Sequence, residues 1–154
     1  MDARPEYDER LGVPLRWWVQ GTMLVASLWL AVVVAVPGVV AWVVTTLAVG
    51  LLVFLMVSYG SARITIADGV LQAGRARISA AHLGRAEALD AEATRRVAGV
   101  QADARAFLLL RPYLKRAVRV EITDPADRTP YWLISSRRPD ELARVLTELT
   151  APAE

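Results

Sequence analysis

The sequence predicts an α+β membrane protein: an N-terminal two-helix transmembrane hairpin followed by a small antiparallel β-barrel or bent sheet with one C-terminal helix. Three observations carry this reading. Residues 17–62, 46 positions, contain no Asp, Glu, Lys, Arg or His. After Ala62 the apolar pattern changes abruptly to alternation with polar residues, the period of a half-buried strand. Near the end of the chain, Leu142, Val145, Leu146 and Leu149 recur at the spacing of one helical face.

Residues 1–16 precede the apolar block and form a polar N-terminal segment with three Arg and four acids. A helix crossing a bilayer needs about 20 apolar residues, so the block from 17 to 60 holds two. Pro37-Gly38 divides it, because proline lacks an amide hydrogen and glycine tolerates positive φ. Predicted spans are therefore 17–36 and 39–59, each roughly 30 Å of helix. One unbroken kinked helix of that length would overshoot a bilayer about twofold. Ser27, Ala31 and Ala35, and Thr46 and Gly50, recur every four residues and are the candidate helix-packing ridges. Arg4, Arg10 and Arg16 flank one outer end, Arg63, Arg75 and Arg77 the other, and the turn carries no charge. The positive-inside rule then places both termini in the cytoplasm, with Trp17, Trp18 and Tyr59 at the inner interface of a multi-pass cell-membrane protein.

Residues 61–154 read as one cytoplasmic domain. Ile64 and Ile66 start a strand, and Asp68-Gly69 supplies the pair of positive-φ positions that a tight type I′ hairpin needs before Val70–Ala73 returns. Short strands follow at 75–79 and 85–89. Asp90 is an N-cap for a helix over 91–98, and Gly99 stops it. An extended run at 107–111 ends at Pro112. Val118, Val120 and Ile122 alternate with Arg119 and Glu121, and Tyr131–Ser135 forms the last strand. Pro139 suits the first turn of the final helix, and Asp140 and Glu141 complement its dipole. Strands closed by a C-terminal amphipathic helix are also the arrangement of pleckstrin-homology-like domains, an analogy of fold that carries no function by itself.

The run Asp124-Pro125-x-Asp127-x-Thr129-Pro130-Tyr131-Trp132-Leu133-Ile134-Ser135-Ser136-Arg137-Arg138-Pro139, with Leu142 beyond it, resembles the signature of a family of short actinobacterial two-helix membrane proteins classed as a domain of unknown function. Tyr7-x-Glu9-Arg10-Leu11 and Arg111-Pro112-Tyr113 are similar to that family too, whereas Arg128 stands where its pattern suggests a second proline. The resemblance implies an integral membrane protein with a cytoplasmic domain. It implies no activity.

The residues themselves name no reaction. With no Cys and a single His, there is no thiolate site and no imidazole pair for a metal. His82 reads as a loop residue. Asp124 and Asp127 sit beside prolines, where Asp bonds turn backbone, and an oxygen-rich calcium loop needs more ligands. Ser135-Ser136 lacks the glycines of a nucleophile elbow, and no phosphate-cradling glycine loop occurs. The apolar block contains none of the ionisable groups that transporters and proton relays use. Neither catalytic residues nor a cofactor or metal is therefore expected.

A net charge of +2 is too balanced to point to nucleic acid, although the pI is near 9.4. Arg75, Arg77, Lys115, Arg116 and Arg119 are candidate contacts for anionic lipid headgroups, each worth about 1 kcal/mol near a charged leaflet. The simpler reading makes them a solvated face interleaved with acids. Function is thus expected to be non-catalytic: a small binding domain presented at the inner leaflet, with lipid or a membrane protein as partner. The alternative is an accessory subunit of a cell-envelope or membrane enzyme complex.

Overall fold

The computed structural model describes residues 6–36 and 38–151. Arg4 and Pro37 lie outside them. The chain forms two compact units. Gly12–Ser61 make one, and the strand segment ending at Leu11 joins everything from Ala62 onward in the other.

The first unit consists of helices α1 (Leu15–Ala35) and α2 (Gly38–Gly60). Both are long and apolar enough to cross a membrane. Their mutual face differs from the expected ridges. Ser27, Ala31, Ala35, Thr46 and Gly50 are exposed, and Gly50 has nothing within 4 Å of a Cβ position. The helices instead meet where Gly21 faces Leu52: a Cβ on Gly21 would lie 2.5 Å from Leu52 Cδ1. On α2 the less exposed positions are Ala41, Val44, Thr45, Ala48, Leu52 and Met56, which share one helical stripe. Spacing alone located small residues, but Gly, Ala, Ser and Thr occur around both helices, so it did not choose the face.

The second unit begins with a strand inside the polar segment that precedes the apolar block. Tyr7–Arg10 is strand β1, and it pairs antiparallel with β2 (Arg63–Ala67), with Tyr7 opposite Ile66 and Glu9 opposite Ile64. Leu11 N–H continues the ladder by donating to Ala62 O at 2.9 Å. The domain boundary expected at residue 61 is thus crossed by a strand from before the hairpin. Asp68 and Gly69 take φ values of 51° and 70°, turning the chain into β3 (Val70–Ala73), as a type I′ turn requires. Gly74, at φ 62°, turns it again into β4 (Ala76–Ser79). These four strands form one sheet in sequence order. Ile64, Ile66, Leu71 and Ala73 point inward from it with no exposure.

A single 3-10 turn at Ala80–His82 leads to β5 (Leu83–Leu89). Leu83 and Gly84, which fall between the strands expected at 75–79 and 85–89, belong to this strand. Gly84 is where the register shifts, and a Cβ there would lie 3.0 Å from Thr123 Cγ2. Helix α3 (Ala91–Ala98) is capped by Asp90, whose carboxylate accepts from Ala93 N–H at 2.7 Å. Then come β6 (Phe107–Leu109), β7 (Ala117–Ile122), β8 (Tyr131–Ser135) and helix α4 (Pro139–Thr150). The second sheet has the order β5-β7-β8-β6.

Two expectations are corrected here. The two four-stranded sheets do not close into a barrel. Nor is the domain wholly antiparallel, since β6 pairs parallel with β8. Residues 110–116 carry the chain past one end of β8, so that β7 runs opposite to β6 and β8, its antiparallel partner, runs with β6. Phe107 packs on Trp132 with ring centroids 4.7 Å apart.

All five residues of β8 are buried, because each face of its sheet is covered. Val118, Val120, Trp132 and Ile134 join the main core with the first sheet's interior and Leu142 and Leu146 of α4. On the opposite face, Ala117, Tyr131 and Leu133 pack with Leu89 and with Val97 of α3.

Candidate functional site

Tyr7, Glu9 and Leu11 point inward from β1 by strand alternation, and this places a carboxylate inside the domain. Glu9 is 4% exposed. A charge there is tolerated only when paired or richly hydrogen-bonded. Glu9 Oε2 accepts from the Tyr7 hydroxyl and from Ser136 Oγ, both at 2.6 Å, and Oε1 accepts from Arg137 N–H at 2.7 Å. Arg138 N–H in turn donates to Ser136 Oγ at 3.0 Å. The Arg138 guanidinium lies over the Tyr7 ring at 5.2 Å, bonds Glu141 at 2.9 Å and reaches Asp8 O at 3.3 Å. Burial, then the bond to Glu9, pushes the Tyr7 phenol above its usual range.

A second contact holds the same strand. Tyr113 Oη donates to Leu11 O at 2.5 Å, and burial raises that phenol too. Arg111 N–H donates to Ser135 Oγ at 3.0 Å. The three separate segments Tyr7–Leu11, Arg111–Tyr113 and Tyr131–Pro139 therefore meet through hydrogen bonds. Beside them Asp8 pairs with Arg63 across β1 and β2, an ion pair that holds the Asp8 carboxyl below its ordinary range. Each oxygen of the Glu9 carboxylate is engaged by protein donors, and the arrangement acts as a latch between the N-terminal strand and the β8–α4 turn. The available signal was the alternation Tyr7-Asp8-Glu9-Arg10-Leu11. That signal is weak, because an acid on the inward phase of a strand has the local pattern of solvent-facing sequence.

The five basic candidates occupy different elements. Arg75 sits in the β3–β4 turn, and Arg77 lies on β4 opposite Gln72; both are exposed and belong to the first sheet. Lys115 and Arg116 precede β7, both exposed, and Arg116 pairs with Asp140 at 2.8 Å. Arg119, on β7, is half-buried and covers the Tyr131 ring at 4.6 Å. His82 ends the 3-10 turn, where its carbonyl accepts from Thr123 N–H at 2.9 Å. Asp124 accepts from Ala126 N–H at 2.8 Å, and Asp127 from Thr129 N–H at 2.9 Å, which keeps the Asp127 carboxyl below its usual range. Among the described residues no group of three or more His, Asp or Glu side chains is placed to hold a metal.

Two apolar helices joined to an α+β domain with a latched N-terminal strand define the class of protein. A family model described as a protein of unknown function, DUF3093, matches residues 6–146. The chain belongs to that family, and the match takes in both helices and nearly all of the domain. No curated protein and no solved structure matches it.

Proposed function

We propose that this chain is a multi-pass membrane protein whose hairpin is inserted into a cytoplasmic binding domain, and that it acts without catalysing a reaction. The observation that carries this reading is the pairing of β1 with β2. The chain leaves the domain at Leu11 and re-enters it at Ala62, and these two residues are hydrogen-bonded to each other. Whatever crosses the bilayer between them must therefore cross an even number of times. Two helices with almost wholly exposed apolar side chains satisfy that condition. The uncharged Gly38 end and the arginines at the other ends favour the cytoplasmic side for the domain.

Only Ser61 and Ala62 separate α2 from β2. So short a tether restricts the domain to the inner leaflet and raises its effective concentration toward any membrane-bound partner. The exposed Arg75, Arg77 and Lys115 add attraction to anionic headgroups. The pleckstrin-homology analogy rests on the strand-rich core covered by α4, and the parallel β6–β8 pair departs from it.

Single cysteines introduced into this cysteine-free chain test the topology. Val39→Cys should react with a membrane-impermeant thiol reagent on intact cells, and Gln101→Cys only after lysis. Equal labelling of both would sink the hairpin. Purification in mild detergent addresses the molecular role, because a stoichiometric enzyme partner would favour the accessory-subunit reading.

A further inference from the structure

Helix α3 presents Ala91, Thr94, Arg95 and Ala98 along one face, at positions i, i+3, i+4 and i+7. That face and the connection from β6 to β7, with Leu110, Arg111, Leu114 and Lys115, border a groove of about 400 Å³. The volume falls within the roughly 300–1,000 Å³ typical of small-molecule sites. Its floor is mainly apolar, and its charged lining is all of one sign: Arg95, Arg111 and Lys115, with no acidic side chain among the described residues.

Arg95 and Lys115 are exposed and form no ion pair among the described residues. Thr94 is the second, independent sign. It is 6% exposed, it lines the groove, and its hydroxyl has no hydrogen-bond partner. Leaving such a group unpaired costs about 1–3 kcal/mol, and helical threonines commonly avoid that by bonding the carbonyl one turn back. Thr22, Thr45, Thr46 and Thr147 of this chain all do so; Thr94 does not.

We propose that this groove binds a phosphate group carrying a hydrocarbon chain, an anionic amphiphile. A phosphate monoester near neutral pH brings close to two negative charges and three strong acceptor oxygens. Those oxygens match the Arg95 guanidinium and the Lys115 ammonium, with the Thr94 hydroxyl, enclosed in the free protein, joining them once its side chain turns toward the groove, and the chain matches the apolar floor formed by Ala98, Leu110 and Leu114. All the lining residues belong to one unit, so the groove exists whichever way the helices are placed in a membrane. Arg95 and Lys115 stand twenty positions apart in the sequence, and the fold brings them to one groove.

The test uses the full chain in nanodiscs of neutral phosphatidylcholine, titrated with hexyl phosphate by calorimetry after subtraction of empty nanodiscs. Hexyl phosphate should saturate at one per chain and bind more tightly than inorganic phosphate, while hexanol should not bind. Arg95→Gln and Lys115→Gln should each weaken binding roughly tenfold, the usual value of a hydrogen bond to a charged group. Thr94→Val should weaken it severalfold without lowering the melting temperature, because the hydroxyl has no bond to lose in the free protein. Replacing part of the phosphatidylcholine by phosphatidic acid separates the sources. Competition identifies a lipid headgroup as occupant, and unchanged affinity identifies a free organophosphate. Absence of saturable binding, or equal affinity in the wild type and all three variants, would overturn the proposal.

Discussion

The two units use the same apolar residue types in opposite ways. In the α1–α2 unit the side chains point outward: Leu24 is 72% exposed and Val34 88%, and Ala41 is the one buried residue of either helix among those described. In the strand-rich unit Ile64, Ile66, Leu71, Val118 and Val120 are fully enclosed. Water drives the second arrangement, since burying a Leu or Ile side chain stabilises by about 1.5–3 kcal/mol. The first departs from what water favours, since a soluble surface rarely exposes a contiguous apolar patch beyond a few hundred Å². The difference teaches that hydrophobic content alone describes neither unit. What matters is whether the pattern is continuous, as in two helices long and apolar enough to cross a membrane, or alternating, which calls for an internal core.

The largest effects expected are in the core. Leu146→Ala removes a fully buried side chain from the α4 face and should cost about 2–5 kcal/mol of domain stability. Leu24→Ala in α1, on an exposed position, should leave the same unfolding transition unchanged. Chemical denaturation of the full chain in detergent, followed by near-ultraviolet circular dichroism, compares the two. Equal losses would mean that the two units do not differ in what surrounds their leucines.

Nearly as large is the Glu9 latch. Glu9→Ala leaves the Tyr7 and Ser136 hydroxyls and the Arg137 amide inside the domain without their acceptor, and should destabilise it by about 3 kcal/mol. Glu9→Gln keeps the shape and one acceptor oxygen and should cost less. The same measurement checks both, and indifference to Glu9→Ala would show that β1 is not held by its carboxylate. Latching also predicts an alkaline limit. The Tyr7 phenol is raised in the folded state, so its contribution is complete below about pH 10, the ordinary tyrosine value, and is lost as the pH rises further. Phenolate absorbance should show Tyr7→Phe removing the latest-titrating tyrosine.

Smaller still is the contrast within the hairpin. Gly21→Ala places a methyl group against the flexible end of Leu52, whereas Gly50→Ala meets open space. We expect Gly21→Ala to loosen the helix pair by about 1 kcal/mol at most, since a shift of Leu52 relieves part of the crowding. Gly50→Ala should be neutral or mildly stabilising. A crosslink between cysteines at Val25 and Ala48 reports the packing.

Acid should have the mildest effect and act on one unit only. Asp8, Asp103 and Asp127 are each held below the ordinary carboxylate range, by Arg63, by Arg105 and by the Thr129 amide. A depressed folded pKa means stability that is complete above the unfolded value of about 3.9 and lost as the pH falls through the folded values. The unit of residues 12–61 contains no carboxylate side chain. Its helical signal should persist at acid pH while the packing signal of the other unit declines.

Residue order alone determined every element whose signal is local. The uncharged block from Trp17 to Ala62, the Asp68-Gly69 turn, the Asp90 cap with its Gly99 stop and the stripe from Leu142 to Leu149 each depend on neighbours within a few positions, and each appears where its pattern placed it. Only the tertiary structure decided which strands pair. β1 was hidden because its partner lies beyond the 50 residues of the other unit, and a four-residue strand has too little period of its own to declare itself. The same holds for the parallel β6–β8 pair, for the choice of Gly21 over Ala31 as the close approach in the hairpin, and for the meeting of Arg95 with Lys115. Local pattern reflects the solvent each residue will face. Long-range pairing reflects which of several compatible surfaces can be brought together at once, and no window of the sequence contains both halves of that choice.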